Sequence, residues 1–399
     1  NGPNRETLDI WSDVLASAIA LGDASFEARA LWGMWSASQA SGAARNALAF
    51  ARRFASHAAQ TGDTGNAVLA YRLLGIASHY VGDQQQAGES LEQLLLHCDR
   101  LRHDLPLGRS LDQRIAGRAA LARVLWLRGA REQALRLAEA CVADACNQQQ
   151  AIVKCDVLIE GLVPLALLSG KRERAARALA LLDEVSTHTG LSVAQACCRC
   201  FDAYLRSFDD TASERLPAFR AALDHLEPLE FGAPYAMLVG QYALALGRAG
   251  QRDAAIAAVA QARVRCDETG ERWYAGELAR IHGELLLMRP TASPPSERST
   301  QDAEACFTAA LNDAVSQGCR TLQLRAATSL GALWHAQGRS ADAIQLLRPI
   351  CSGLTEGLDW DDFEAATRVL LASADTAAAS DASDVVLDEA PLAGLSERG

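Results

Sequence analysis

Leu322 to Pro349 reads LQLRAATSLGALWHAQGRSADAIQLLRP. The apolar spacing predicts two antiparallel helices joined by a tight turn at Gly338. Leu330 and Trp334 stand four residues apart and share a helical face. Gly331 has no Cβ, so a neighbouring helix can approach closely there. In the second helix Ala343, Leu347 and Ile350 share a face, and Ala343 is small where the two helices cross.

The same grammar recurs along the chain. Turn signals stand at Gly42, Gly82, Gly129, Gly170, Asp209-Asp210, Gly250 and Gly338, and most steps are about forty residues. Five residues after six of these glycines comes an alanine: Ala47, Ala87, Ala134, Ala175, Ala255 and Ala343. A small residue at a fixed offset is a packing requirement. The pattern resembles the large–small alternation of tetratricopeptide (TPR) units, with a period longer than their 34 residues. The expected fold is all-α: a right-handed α-solenoid of about eight TPR-like hairpins with a concave inner face. First helices are expected at Ala24–Gln39, Asn66–Val81, Leu111–Arg128, Ala151–Ser169, Ser192–Phe208, Pro234–Ala249, Arg272–Met288 and Thr321–Gln337. A lone helix, Glu6 to Leu21, precedes them. A capping helix, Asp359 to Ala374, follows, with Asp361, Asp362 and Glu364 near its start, where negative charge is favourable. The domain reading is one solenoid over 1–374 and a flexible tail over 375–399. His103–Arg109 and the Pro/Ser-rich Pro290–Ser299 read as surface loops.

Composition sets limits. The chain has 399 residues, 49% hydrophobic and 22% charged, with a net charge of −11 and a pI near 5.3. A packed helical core is expected, and the acidity argues against direct nucleic-acid binding. No apolar run approaches the ~18 residues of a membrane span. No secretory signal is seen, and the eleven cysteines read as reduced thiols in a cytoplasmic protein. The start, Asn1-Gly2-Pro3-Asn4, reads as the edge of a piece of a longer chain.

Several stretches resemble the C-terminal TPR-like region of large bacterial STAND-type ATPase regulators. They are ALWGMWSASQASGAARNALAFARRF (Ala30–Phe54), YRLLGIASHYVGDQQQAGESLEQLL (Tyr71–Leu95), GERWYAGELARIHGELLLM (Gly270–Met288) and AEACFTAALNDAVSQGCRTLQLRAATSLGALWHAQGR (Ala303–Arg339). TEGLDWDDFEAATRVL (Thr355–Leu370) follows. Such proteins carry a winged-helix DNA-binding domain or a nucleotide cyclase domain, then the ATPase, then the solenoid. The resemblance implies a sensing arm in signal transduction or transcriptional regulation, with the ATPase and effector domains upstream in the same chain. None of the ATPase or DNA-binding motifs is in this sequence.

No enzyme signature survives inspection. Gly170-Lys171 is followed by Arg172 and lies in a hairpin turn, unlike a phosphate-binding loop. Neither H-E-x-x-H nor G-x-S-x-G occurs. Cys197, Cys198 and Cys200 form a CCRC cluster on one helix; such thiols read as small buried hydrophobes, since zinc sites draw ligands from two elements. His97, Cys98 and His103 border a loop without forming a ligand pattern. No metal or cofactor is expected. Trp35 and Trp334 read as core.

Counting back from each turn glycine places candidate inward-facing residues: Arg29, Trp32 and Gln39; Arg72 and His79; Arg123 and Trp126; Glu160; Arg280 and Glu284; Arg325 and His335. Five arginines on the inner face of an acidic chain suit recognition of carboxylate or phosphate. They equally suit ion pairs between adjacent hairpins. The function expected is a non-catalytic interaction module binding a partner protein, a peptide or a small anionic ligand. The alternative is an autoinhibitory or oligomerisation arm acting on an upstream ATPase, with no external ligand.

Overall fold

In the computed structural model, residues 5–100, 113–147, 150–209, 212–227, 234–288 and 296–387 are described. Among them every regular element is helical. Helix α1 (Arg5–Leu21) precedes eight hairpins. These are α2 (Ala24–Ala40) with α3 (Ala44–Thr61), α4 (Thr64–Tyr80) with α5 (Gln84–Arg100), and α6 (Gln113–Leu127) with α7 (Arg131–Asn147). The fourth joins α8 (Ala151–Val157), a π turn (Leu158–Leu162) and α9 (Val163–Leu168) to α10 (Arg172–Thr189). Then come α11 (Ser192–Arg206) with α12 (Ala212–Leu226), α13 (Tyr235–Arg248) with α14 (Arg252–Thr269), α15 (Ala275–Leu287) with α16 (Glu297–Ser316), and α17 (Arg320–Ala336) with α18 (Ser340–Ser352). Helix α19 (Asp361–Leu387) closes the series. The chain is a TPR-like α-solenoid.

The turn glycines do what the spacing predicts. Gly82 has φ 89° and Gly338 φ 80°, in the left-handed region that a side chain disfavours. The next residue's N–H closes each helix onto a carbonyl five residues back, as in Asp83 to Ser78 (2.9 Å) and Arg339 to Trp334 (2.8 Å). All six offset alanines are 0% exposed. A Cβ on Gly331 would stand 2.9 Å from Leu347 Cδ1, so the helix crossing there is set by the missing side chain. A second set of left-handed glycines, Gly62, Gly190, Gly270 and Gly318, links one hairpin to the next, and Gly22 links α1 to the first. Helices α2 and α4 are 17 residues long; two such helices with their glycine turns account for the period near forty.

Several boundaries depart from expectation. The seventh hairpin starts at Ala275 rather than Arg272, because the N–H groups of Arg272 and Trp273 bond the Tyr80 carbonyl instead (2.8 and 3.4 Å). The fourth first helix is broken by the π turn. Pro164, just beyond it, has no N–H to bond the Glu160 carbonyl, so the hydrogen-bond ladder slips. The capping helix does not end at Ala374 but continues to Leu387; 388–399 lie outside the described residues. So do His103–Arg109, Asp210 and most of Pro290–Ser299. From that last stretch Ser296 emerges as the N-cap of α16, accepting from Ser299 N at 3.1 Å.

The superhelix closes on itself. Turns of the first four hairpins touch links of the C-terminal half, in order. Arg45, beyond the first turn, bonds the Asp267 carbonyl (2.8 Å) and packs on Gly270. The Gly82 turn meets Arg272 and Gln317, and the Gly129 turn meets Arg320 and Leu354. The Gly170 turn meets Asp361, and Lys171 lies over the Trp360 ring (5.0 Å). Helices α6 and α17 touch directly, where Thr321 donates to the Trp126 carbonyl (2.5 Å). A further clasp is Arg131, 0% exposed. It bonds the Gly357 carbonyl (3.1 Å) and Asp362 (3.4 Å), and lies 4.6 Å from the Trp360 ring centre. Glu356 returns the contact by capping α7, accepting from the N–H groups of Glu132 and Gln133.

Candidate binding site

The inner faces of the first helices carry two clusters of arginines and carboxylates. Tyr80 of α4 donates to Glu160 (2.9 Å), while Arg123 of α6 reaches Tyr80 Oη (2.7 Å) and Glu160 (2.6 Å). Burial alone would lower the Arg123 basicity, but Tyr80 and Glu160 hold it above its usual value. The π turn carries Glu160 to this meeting point.

On α15, Arg280 bonds Glu277 (2.8 Å) and also pairs with Glu284. Arg325 of α17 reaches Glu277 (3.3 Å), Asp362 (2.9 Å) and the Leu168 carbonyl (2.5 Å), over the Trp126 ring. Burial would raise the Glu277 acid, yet the two arginines keep it below the usual carboxylate range.

These contacts correct the expected open groove. Arg123, Arg280 and Arg325 are already matched by carboxylates, with Glu160 and Glu284 among their partners. Trp126 is 1% exposed, its Nε1 bonded to Ser169 (2.9 Å), so it offers no face for stacking. His79 is fully buried, bonded to Gln84 (2.9 Å) and stacked on Trp273; burial and then Arg123 keep its imidazole neutral. His335 bonds Ser340 (3.1 Å). Trp32 is 38% exposed, and exposed Arg29 lies over Phe26; neither joins the clusters. Trp334 is half-buried, its Nε1 bonded to Glu304 (2.7 Å).

Arg72 is the exception. It is 7% exposed, its Nε has no partner among the described residues, and its guanidinium lies 5.8 Å from the Trp35 ring centre. Burial lowers its basicity to about 10, offset only in part by Asp156. On the neighbouring faces of α2 and α4, Trp35 Nε1, Ser38 Oγ, Gln39 Oε1 and His79 Nε2 are also buried without partners among the described residues. Buried polar atoms are almost always satisfied; Arg123 Nε, Arg131 Nε and Ser373 Oγ also lack a partner among the described residues, so the row on α2 and α4 holds the larger share of the unfinished atoms rather than all of them. Spacing found Arg72 and Gln39. It missed Tyr80, Asp156, Glu277 and Asp362, although Asp156 is one helical turn before Glu160 and Glu277 is one turn before Arg280.

Most of the cysteines are buried. Cys197 and Cys200 are fully buried, and burial pushes the Cys198 and Cys200 thiols up to about 12. Among the described residues no His, Cys, Asp or Glu cluster has a metal-binding arrangement, and no helix is long and apolar enough to cross a membrane.

No family model and no curated protein matches the chain. Among solved structures it is similar to a Pyrococcus horikoshii STAND protein with a tetratricopeptide repeat sensor: 11% identity over 93% of this chain and 50% of that one, TM-score 0.46. It is also similar to apo RapI (11% identity, 77% and 97% covered, TM-score 0.45) and to yeast Tom70 (12%, 96% and 99%, TM-score 0.35). The chain spans about half the length of the Pyrococcus chain.

Proposed function

We propose that this chain is the non-catalytic sensor and interaction module of a bacterial signalling regulator, and that its closed interior receives a small ligand or a short peptide. The observation that carries this reading is the row of buried, unpartnered polar atoms from Trp35 to His79. Buried polar atoms are met by a protein partner, ordered water or a ligand, so a polar occupant of the interior would complete this row. The closed winding favours a small occupant over a long peptide threading an open groove. Occupancy would be read through the clasp at Arg131, since a ligand inside the ring bears on whether the ring is shut. The attached ATPase or effector module would receive that change.

Native mass spectrometry of the purified chain tests the reading. A retained molecule, with a radius of gyration by X-ray scattering that changes on its removal, supports it. An empty chain whose radius is unmoved by cell-extract metabolites rejects it.

A second reading, an arm that docks on another module, is favoured by one observation. Ile10, Ile19, Leu21 and Phe26 are each at least half exposed at one end of the solenoid, which is a face suited to an apolar contact.

A further inference from the structure

We propose that the groove between α1 and α2 is the seat of one more first helix, carried by the same polypeptide ahead of α1 and bearing a carboxylate opposite Arg29. The proposal stands apart from the interior-ligand reading and gives the exposed end of the solenoid its occupant.

Helix α1 has the register of a second helix. It ends at Gly22, which is left-handed like Gly62, Gly190, Gly270 and Gly318, each of which follows a second helix. The following first helix is capped in the same way: Asp23 accepts from the N–H groups of Ser25 and Phe26, and Asp63 from that of Asn66. Four, eight and eleven residues before the later glycines the second helices are buried, as at Ala58, Phe54 and Ala51 or at Cys266, Ala262 and Val259. Before Gly22 the same positions are Ala18, Val14 and Trp11. The first is buried and the other two are only half-buried.

The side of α1 that is uncovered can be named. Residues five and twelve before a link glycine share a helical face, and in later hairpins they touch their own first helix. His57 donates to the Ala24 carbonyl of α2 (2.9 Å). Arg265 lies over the Tyr235 ring of α13 (4.3 Å), and Cys306 Sγ stands 3.9 Å from His282 Nδ1 of α15. In α1 these positions are Ser17 and Ile10. Both are exposed, Ile10 at 57%.

Helix α2 presents the adjoining wall. Seven and ten residues after a link glycine, a first helix meets the first helix before it. Arg325 of α17 bonds Glu277 of α15 (3.3 Å), and Arg72 of α4 lies over Trp35 of α2 (5.8 Å). In α2 those positions are Arg29 and Trp32, both exposed. Arg29 has the Phe26 ring beside it and no carboxylate partner among the described residues.

Ile10 and Ser17 on one side, with Phe26, Arg29 and Trp32 on the other, make a mostly apolar groove holding one unmatched cation. A helix laid there packs on α1 and α2 as α2 packs on α3 and α4. A carboxylate on it would meet Arg29 as Glu277 meets Arg325. The sequence marks the junction as one within the chain. Gly2 stands twenty residues before Gly22, as Gly42 stands before Gly62, Gly170 before Gly190 and Gly250 before Gly270. Thr7 follows Gly2 at the offset of the buried alanines.

The test fuses a copy of α4 with its turn (Asp63–Asp83), or of α2 with its turn (Asp23–Ala43), ahead of Asn4. Gly82 or Gly42 of the copy then takes the place of Gly2. Within the copies, Leu69→Glu or Arg29→Glu supplies the carboxylate. With at least one copy, hydrogen exchange of the α1 amides should slow about 10- to 100-fold. The melting temperature should rise, and the fused chain should sediment as a monomer. Ile10→Asp should remove that gain in the fused chain while barely moving the unfused one, where Ile10 faces water. Restoring the copy's natural residue in place of the glutamate should remove part of the gain. If neither copy slows α1 exchange, or if Ile10→Asp destabilises the unfused chain as much as the fused one, the groove is not a first-helix seat. If the fused chain is a dimer that Ile10→Asp disperses, a second copy holds this face and the assignment to the same polypeptide is wrong.

Discussion

Replacing Arg131 with methionine should spring the ring without unfolding its hairpins. The guanidinium has no exposed surface. It gives a charged hydrogen bond to the Gly357 carbonyl, a longer one to Asp362, and a cation–π contact at 4.6 Å with Trp360. The carbonyl bond is worth about 1.5–3 kcal/mol and the desolvated cation–π contact about 2 kcal/mol. Against these stands the cost of burying the charge: Nε has no partner among the described residues, and burial lowers the group's basicity despite Asp362. Asp362 is not orphaned, because Arg325 still holds it at 2.9 Å. The net loss should be about 3 kcal/mol, at the low end for breaking a buried pair. That raises the population of the open ring about 100-fold. Hydrogen exchange followed by mass spectrometry reads it directly. Amides of Leu354–Phe363 and of Glu132 and Gln133, which donate to Glu356, should exchange about 100-fold faster, while those of α3 and α4 hold their protection. Unchanged exchange at both sides of the clasp, with an unchanged melting temperature, would refute the assignment of Arg131 as the closing contact.

Three further outcomes are expected. Gly75→Ala should cost about 1–3 kcal/mol, because its Cβ would stand 2.6 Å from Leu91 Cγ; a melting temperature equal to wild type would show that the α4–α5 crossing is looser than described. Ala343→Trp, at a fully buried crossing, should strip exchange protection from α17 and α18 and from the cap packed on them; protected amides there would contradict the crossing. Glu271→Gln concerns pH. Burial raises the Glu271 acid to about 7 despite its bond to Trp273, so between about 4.5 and 7 the folded chain binds the proton that the unfolded chain has lost. Stability therefore falls as pH rises through that window, by about 3 kcal/mol for this group. The glutamine variant, still an acceptor for Trp273, should show a flatter melting temperature between about pH 5 and 8, and an identical slope would reject the account.

The hairpins were legible because their determinants are local. A glycine that must be left-handed and an alanine that must be small recur at fixed offsets, and Gly42, Gly82 and Gly338 need no partner outside their own hairpin to be recognised. The inward register was also local, and it gathered Arg123 with Glu160 and Arg280 with Glu284. Whether an inward arginine is free or matched was not legible. The partners of Arg325 include Asp362 and Glu277, which belong to other elements, and the Leu168 carbonyl, which belongs to another hairpin altogether. Trp126 was misread for the same reason: what covers it is α17, far along the chain. The fourth first helix was read as continuous over Ala151–Ser169, although Pro164 has no N–H to give; that a break would take π form and carry Glu160 to Tyr80 depended on a carboxylate acceptor two hairpins away from its donor.

Closure also changes how the chain folds. In an open array each hairpin touches only its neighbours, stability adds up along the line, and folding can start anywhere and spread. Here Arg45 meets Asp267 across 222 residues and Arg131 meets Asp362 across 231. Bringing such distant segments together costs loop entropy before any contact repays it. Hairpins should therefore form early and fast, as local helical pairs do, and wait on one slow docking event in which the first four turns seat on the last links. Unfolding should begin at that same seam, so a population of opened but fully helical chains stands between the native ring and the unfolded chain.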